Sequence, residues 1–130
     1  MIIDFNAPDI YDTLLDVSGK FALTPSSSIE MEDWFRSLLA TYPDSEDVKS
    51  FPQWLEAMLA RAFLVLDAFP KWIQDPQWAL DSAGQPMIFV GQIDIDRQNS
   101  LTASSIFHDD VVFYLFVSRN GERVVVRQSY

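Results

Sequence analysis

Cysteine is absent from this 130-residue chain, histidine occurs once, and glycine only four times. Without thiols there is neither a disulfide nor a thiolate metal site, which suits a reducing compartment. A lone histidine forbids every metal motif built on a histidine pair. So few glycines leave no GxGxxG and no phosphate-cradling loop, and the serines include no GxSxG nucleophile elbow. Apolar runs stop well short of the ~20 residues that a membrane helix needs. The opening Met1-Ile-Ile-Asp lacks the basic start of a secretory signal. The cytoplasm is therefore the expected location, and neither a cofactor, a metal nor an enzymatic activity is expected.

Basic residues are scarce as well. Nine Lys and Arg stand against nineteen Asp and Glu, a net charge of −10. The imbalance is concentrated in residues 1–70, with 12 acidic and 4 basic side chains. A field of that sign repels nucleic acid and anionic lipid and speeds encounter with a basic protein. The plainer alternative is an acidic surface that only keeps the protein soluble.

What the chain does have is apolar bulk. Hydrophobic residues make up 48% of it and aromatics 14%, enough for an ordinary core in a single domain over residues 1–130. Pro8 suits the first turn of a helix, and Ile10, Leu14 and Val17 recur at helical spacing before Gly19 stops it. Asp9, Asp12 and Asp16 then share one neighbouring face. Ser27 and Glu30 have the spacing of a capping box, with Glu30, Glu32 and Asp33 in the first turns. Met31, Trp34, Phe35, Leu38, Leu39 and Tyr42 follow as a core stripe that ends at Pro43. Asp44, Glu46 and Asp47 lie in the next loop. Ser50 and Gln53 repeat the cap spacing, and a third helix is expected over 51–68, with Leu55, Met58, Leu59, Ala62, Phe63 and Leu66 on its buried side.

After Pro70 the period becomes two. Met87–Ile95 reads as a strand with Phe89, Gly91, Ile93 and Ile95 on one face, and Gly91 marks a bulge or a close backbone approach. Val111–Ser118 and Glu122–Gln128 flank Asn120-Gly121, which predicts a two-residue type I′ hairpin. In that register Arg119 faces Glu122, Val117 faces Val124, Leu115 faces Val126, and Tyr114 meets Arg127. The fold class is α+β: N-terminal helices packed on a mainly antiparallel β-sheet formed by the C-terminal half.

Reactive constellations are thin. His108 lies beside Asp109 and Asp110, where it is either an oriented base or a loop residue next to backbone-capping carboxylates. Asp94 and Asp96 alternate along a strand end, a spacing too common to specify a metal or acid–base pair. Arg119, Arg123 and Arg127 make one basic stripe on the last hairpin, reading as an exposed face rather than a phosphate groove.

Three segments carry a family resemblance: Phe69-Pro-Lys-Trp-Ile-Gln74, Pro86-Met-Ile-Phe-Val-Gly-Gln-Ile-Asp-Ile95 and Phe113-Tyr-Leu-Phe-Val117. Together, over about residues 69–128, they resemble the C-terminal part of the YwqG-like domain family. The resemblance implies a binding scaffold in which Trp72, Gln74 and Gln92 tie a turn to a strand. It also implies a setting among immunity factors and toxin accessory proteins, with no catalytic residue to carry over.

The expectation is an immunity protein that neutralises a cognate basic toxin, a nuclease effector of a secretion system, through an acidic surface. Its candidate contacts are Asp9, Asp12, Asp16, Glu30, Glu32, Asp33, Asp44, Glu46 and Asp47, with Trp34 or Tyr42 as aromatic anchors. Neither nucleic acid nor membrane is an expected partner. The alternative is a non-catalytic small-molecule or peptide-binding domain with a pocket beside Trp72, Trp78 and Phe89. An enzyme using His108 comes third.

Overall fold

The structure, a computed structural model, describes residues 3–43, 48–95 and 110–130. Among the described residues the N-terminal half holds α1 (Pro8–Gly19), α2 (Ile29–Leu39) and α3 (Phe51–Ala62), the last entered through a 3-10 turn at Val48–Ser50. The C-terminal half holds β1 (Ile88–Ile95), β2 (Val111–Val117) and β3 (Arg123–Ser129), antiparallel neighbours in that order. This is the expected α+β arrangement. No helix among the described residues is long and apolar enough to cross a membrane.

Local chemistry starts and stops the helices. Pro8 opens α1, and Ile10, Leu14 and Val17 are buried at the expected spacing. Gly19 does not reverse the chain, however. Ala22 does, at φ 57°, while the Leu23 and Phe21 amides both bond back to the Ser18 carbonyl. In α2 the cap is Ser28 rather than Ser27, its hydroxyl accepting from the Met31 amide at 3.0 Å. The carboxylate half of the expected capping box is therefore missing, because the third helical position is Met31. The Ser50 side chain makes no cap bond either, since the 3-10 turn already brings the chain into α3 in helical geometry.

α3 ends at Ala62, six residues before the expected end at 68. The apolar run beyond it extends and lies parallel to β1 instead. The Phe89 amide donates to the Leu64 carbonyl at 2.9 Å, and the Leu66 amide to the Phe89 carbonyl at 3.1 Å. A strand edge with unmet backbone groups outcompetes one further turn of helix. Leu66, expected inside, is 69% exposed as a result.

One hydrophobic cluster joins helices to sheet, with Phe63 and Trp78 at the junction. The Trp78 ring lies 5.3 Å from Phe63, 5.5 Å from Phe116 and 6.1 Å from Phe89. Its indole N–H, which burial would otherwise strand, donates to the Met87 carbonyl at 2.8 Å. Leu14, Leu55 and Leu59 are fully buried, each contributing about 1.5–3 kcal/mol of transfer free energy.

The sheet departs from the sequence reading twice. Gly91 does coincide with a bulge: Phe89 pairs with Phe116 and Gly91 with Leu115, which leaves Val90 unpaired. That extra residue switches the faces. Phe89 is buried, whereas Ile93, expected beside it, is 51% exposed. In the hairpin Val117 pairs with Arg123, Leu115 with Val125, and Tyr114 with Val126. The loop is three residues long, Arg119-Asn120-Gly121, with Gly121 at φ 93°. A type I turn closed by a left-handed glycine replaces the two-residue turn, and the one-residue slip sets Val124 and Val126 on one face with Phe116 and Tyr114 rather than with Val117 and Leu115. Val111, Val112, Tyr114 and Phe116 are the buried residues of β2, and Arg127 stands opposite Phe113, not Tyr114.

Candidate partner-binding surface

On α2, Glu30, Asp33, Trp34, Ser37 and Leu38 follow one another by three, one, three and one. That spacing gathers them on one side of the helix, next to the buried stripe. They form one wall of a concavity of about 520 Å³ whose other wall is the backbone turn Ala83-Gly84-Gln85. Asp81 builds that turn. Its carboxylate accepts from the Ala83 amide at 2.8 Å and the Gln85 amide at 3.0 Å, and Gly84 takes φ 78°. Ser82 then donates through its amide and hydroxyl to Glu122, which fastens the turn to the final hairpin.

Trp34 is half-buried, its ring meeting Phe35 edge-on at 5.2 Å and Phe63 at 4.9 Å. Packing on two aromatic neighbours fixes the indole, while Glu30 and Asp33 beside it are exposed. Two carboxylates next to a fixed indole face attract an organic cation by charge and by the ring quadrupole together.

The remaining candidate residues separate. Asp9, Asp12 and Asp16 are exposed on the side of α1 away from Ile10, Leu14 and Val17. Glu32 lies on the other flank of α2, 3.7 Å from Arg36. That guanidinium caps the Phe5 ring at 4.5 Å and donates to the Asn6 side-chain oxygen, so Glu32 is turned towards the N-terminal segment. Tyr42 is only 4% exposed, in edge-on contact with Phe51 and Trp54, and cannot serve as an anchor. Asp44, Glu46 and Asp47 lie outside the described residues, as do Asp96, His108 and Asp109.

Of the residues expected beside the alternative pocket, Phe89 lines a concavity and the two tryptophans are engaged in packing. Trp78 and Phe89 are buried, and Trp72 lies over Tyr114 at 4.4 Å with its N–H donating to the Ala22 carbonyl. A smaller concavity of about 380 Å³ beside the bulge is lined by Phe89 with Asp67, Phe69, Lys71, Gln92 and Asp94, but by neither tryptophan. Gln92 does tie turn to strand, accepting from the Lys71 amide at 2.9 Å, and Gln74 donates to the Ser129 carbonyl at 2.7 Å. Among the described residues, no three Asp, Glu or His side chains converge as metal ligands.

The wall supplied by Ala83, Gly84 and Gln85 was not anticipated. Its local signal is Asp81 three residues before Gly84, a turn in which the aspartate bonds the following amides. Nothing local says that the turn would lie against α2. Compared with protein-family models, curated proteins and solved structures, the chain matches none.

Proposed function

We propose that this protein neutralises a basic protein partner, in the manner of an immunity protein against a cationic toxin, by docking it on the acidic concavity beside α2. The observation that supports this reading is the convergence of Glu30, Asp33 and Trp34 on one recess of about 520 Å³. A lysine or arginine of the partner would enter between the two carboxylates and lie on the indole, its apolar stem against Leu38. The net charge of −10 would draw the partner in at long range, and the exposed aspartates of α1 add to that field.

A growth assay tests the reading. Products of the genes flanking this one are expressed singly in bacteria, with and without this chain. One of them is expected to be basic, to arrest growth, and to be neutralised by the wild-type chain but not by a Glu30→Gln/Asp33→Asn/Trp34→Ala variant. No growth-arresting neighbour, or full rescue by the triple variant, overturns the proposal.

A further inference from the structure

The turn across from α2 has used up its backbone donors. The Ser82 amide goes to the Glu122 carboxylate at 3.1 Å, and the Ala83 and Gln85 amides go to the Asp81 carboxylate at 2.8 and 3.0 Å. The Gly84 amide donates to the Asp81 carbonyl at 2.9 Å, and the Asp81 amide to the Gln85 carbonyl at 2.8 Å. Every N–H from 81 to 85 is thus engaged. Among the described residues, no backbone amide takes the Ala83 or Gly84 carbonyl. The backbone groups that this wall still has to offer are acceptors.

The wall opposite is α2, where the exposed Glu30 and Asp33 are acceptors as well. The described residues that line the recess include no lysine or arginine, and Arg36 of the same helix is turned to Phe5 and Asn6. Alongside the carboxylates lies the Trp34 ring, fixed by Phe35 and Phe63. An anion is a poor match, because carboxylates on one wall and carbonyls on the other repel it. An ammonium is a compact, strongly hydrated point with three donors, so it settles at one wall and keeps its water. A guanidinium is a flat, weakly hydrated fork with five donors. Its edges can serve acceptors on both sides while its face stays on an indole. A concavity of about 520 Å³ has room for the fork, whereas an ammonium leaves one wall unmet.

We propose that the recess beside α2 receives an arginine of the partner protein in preference to a lysine. The guanidinium face lies on Trp34, and its N–H groups divide between the α2 carboxylates and the Ala83 and Gly84 carbonyls. This inference rests on the reading of the recess as the docking site for a basic protein, and adds which basic residue it selects.

The probes are two blocked heptapeptides, Ser-Gly-Ser-Arg-Ser-Gly-Ser and the same peptide with lysine for arginine, titrated into the isotope-labelled full chain and followed by two-dimensional NMR. The arginine peptide should shift the Trp34 indole and Gly84 amide signals saturably and bind at least tenfold tighter than the lysine peptide. A double Glu30→Gln/Asp33→Asn variant should lose both, with the rest of its spectrum showing that it is folded. Asp81→Ala unmakes the turn and should bring the arginine peptide down to the lysine level. Asp81→Asn keeps an acceptor for both amides and should retain the preference. Four outcomes overturn the inference: equal or tighter binding of the lysine peptide, which leaves the basic-partner reading standing; saturation without shifts at Trp34 and Gly84; no binding of either peptide up to about 10 mM; or tighter binding of free agmatine than of the arginine peptide, which makes the recess a small-molecule site. The growth assay is blind to the choice between the two cations. Arginine-selective binding at Trp34 with no growth-arresting neighbour removes the toxin reading alone.

Discussion

Gln128 reaches from the last strand into the turn before β1, its side-chain N–H donating to the Asp75 carbonyl at 2.8 Å. The same amide accepts from the Ile73 and Gln74 backbone N–H groups, each at 3.0 Å, and donates to the Gln77 side chain at 2.9 Å. One side chain, 1% exposed, thus satisfies three backbone groups of the irregular segment at residues 73–75. Gln128→Leu keeps the bulk but leaves two amides and a carbonyl without that partner. The expected cost is about 2–4 kcal/mol in urea unfolding, with Gln128→Glu in between because it retains an acceptor. A loss under about 0.5 kcal/mol would show that water replaces the amide.

Ala22 and Gly121 make a reciprocal pair. Ala22 occupies the left-handed region at φ 57°, a conformation that costs an L-residue about 1–2 kcal/mol. Ala22→Gly should therefore stabilise the protein by about 1 kcal/mol, against the usual sign for such a change. Gly121 sits at φ 93° in open space, so Gly121→Ala should cost about 1 kcal/mol for backbone reasons alone. Gly91→Ala is the control, with no positive φ and no neighbour within 4 Å of an added Cβ. Thermal melts of the three variants should rise, fall and hardly move.

Tyr114 carries the titration that burial perturbs. Desolvation raises its pKa from the ordinary 10.0; Asp94 and Tyr130 add to the rise, and a hydrogen bond from the Ile73 backbone opposes it. The hydroxyl donates to the Lys71 carbonyl at 2.8 Å, a bond that needs the proton. A raised folded pKa means that the unfolded chain loses its proton first. This contribution to stability is whole below pH 10 and declines as pH climbs through the folded value. Urea midpoints measured between about pH 8 and pH 11 should fall on the alkaline side, and Tyr114→Phe should flatten that limb.

Ser28 and Ser27 separate a real cap from an apparent one. Ser28→Ala removes the acceptor for the Met31 amide and should cost about 1 kcal/mol. Ser27→Ala should stay within about 0.5 kcal/mol of wild type. The reverse order would restore the capping-box register that the sequence suggests.

Features that answer to near neighbours were legible in the sequence. Pro8, the apolar spacing of α1 and α2, the bulge at Gly91 and the existence of the last hairpin all follow from residues a few positions apart. Features decided by distant competition were not. Residues 64–66 look helical until β1 offers them hydrogen bonds, and the hairpin register turns on whether Gly121 ends a two- or a three-residue loop. The recess divides the same way. Glu30, Asp33 and Trp34 share a helix face that can be counted out on paper, but their opposing wall comes from a turn fifty residues later, fastened by Glu122.

Val90 gives β1 a half-step in phase. Above it the strand turns a phenylalanine ring towards the helices; below it, Gln92 and Asp94 take the inward positions, across from Tyr114 and Val112. Deleting that one residue would leave a regular ladder with the faces unchanged, Gly91 following Phe89 directly, Ile93 still outward and Gln92 still across from Tyr114 and on the Lys71 amide. Loss of a paired residue such as Gln92 would instead turn over everything after it, so Val90 is the one residue that the strand can shed without losing phase.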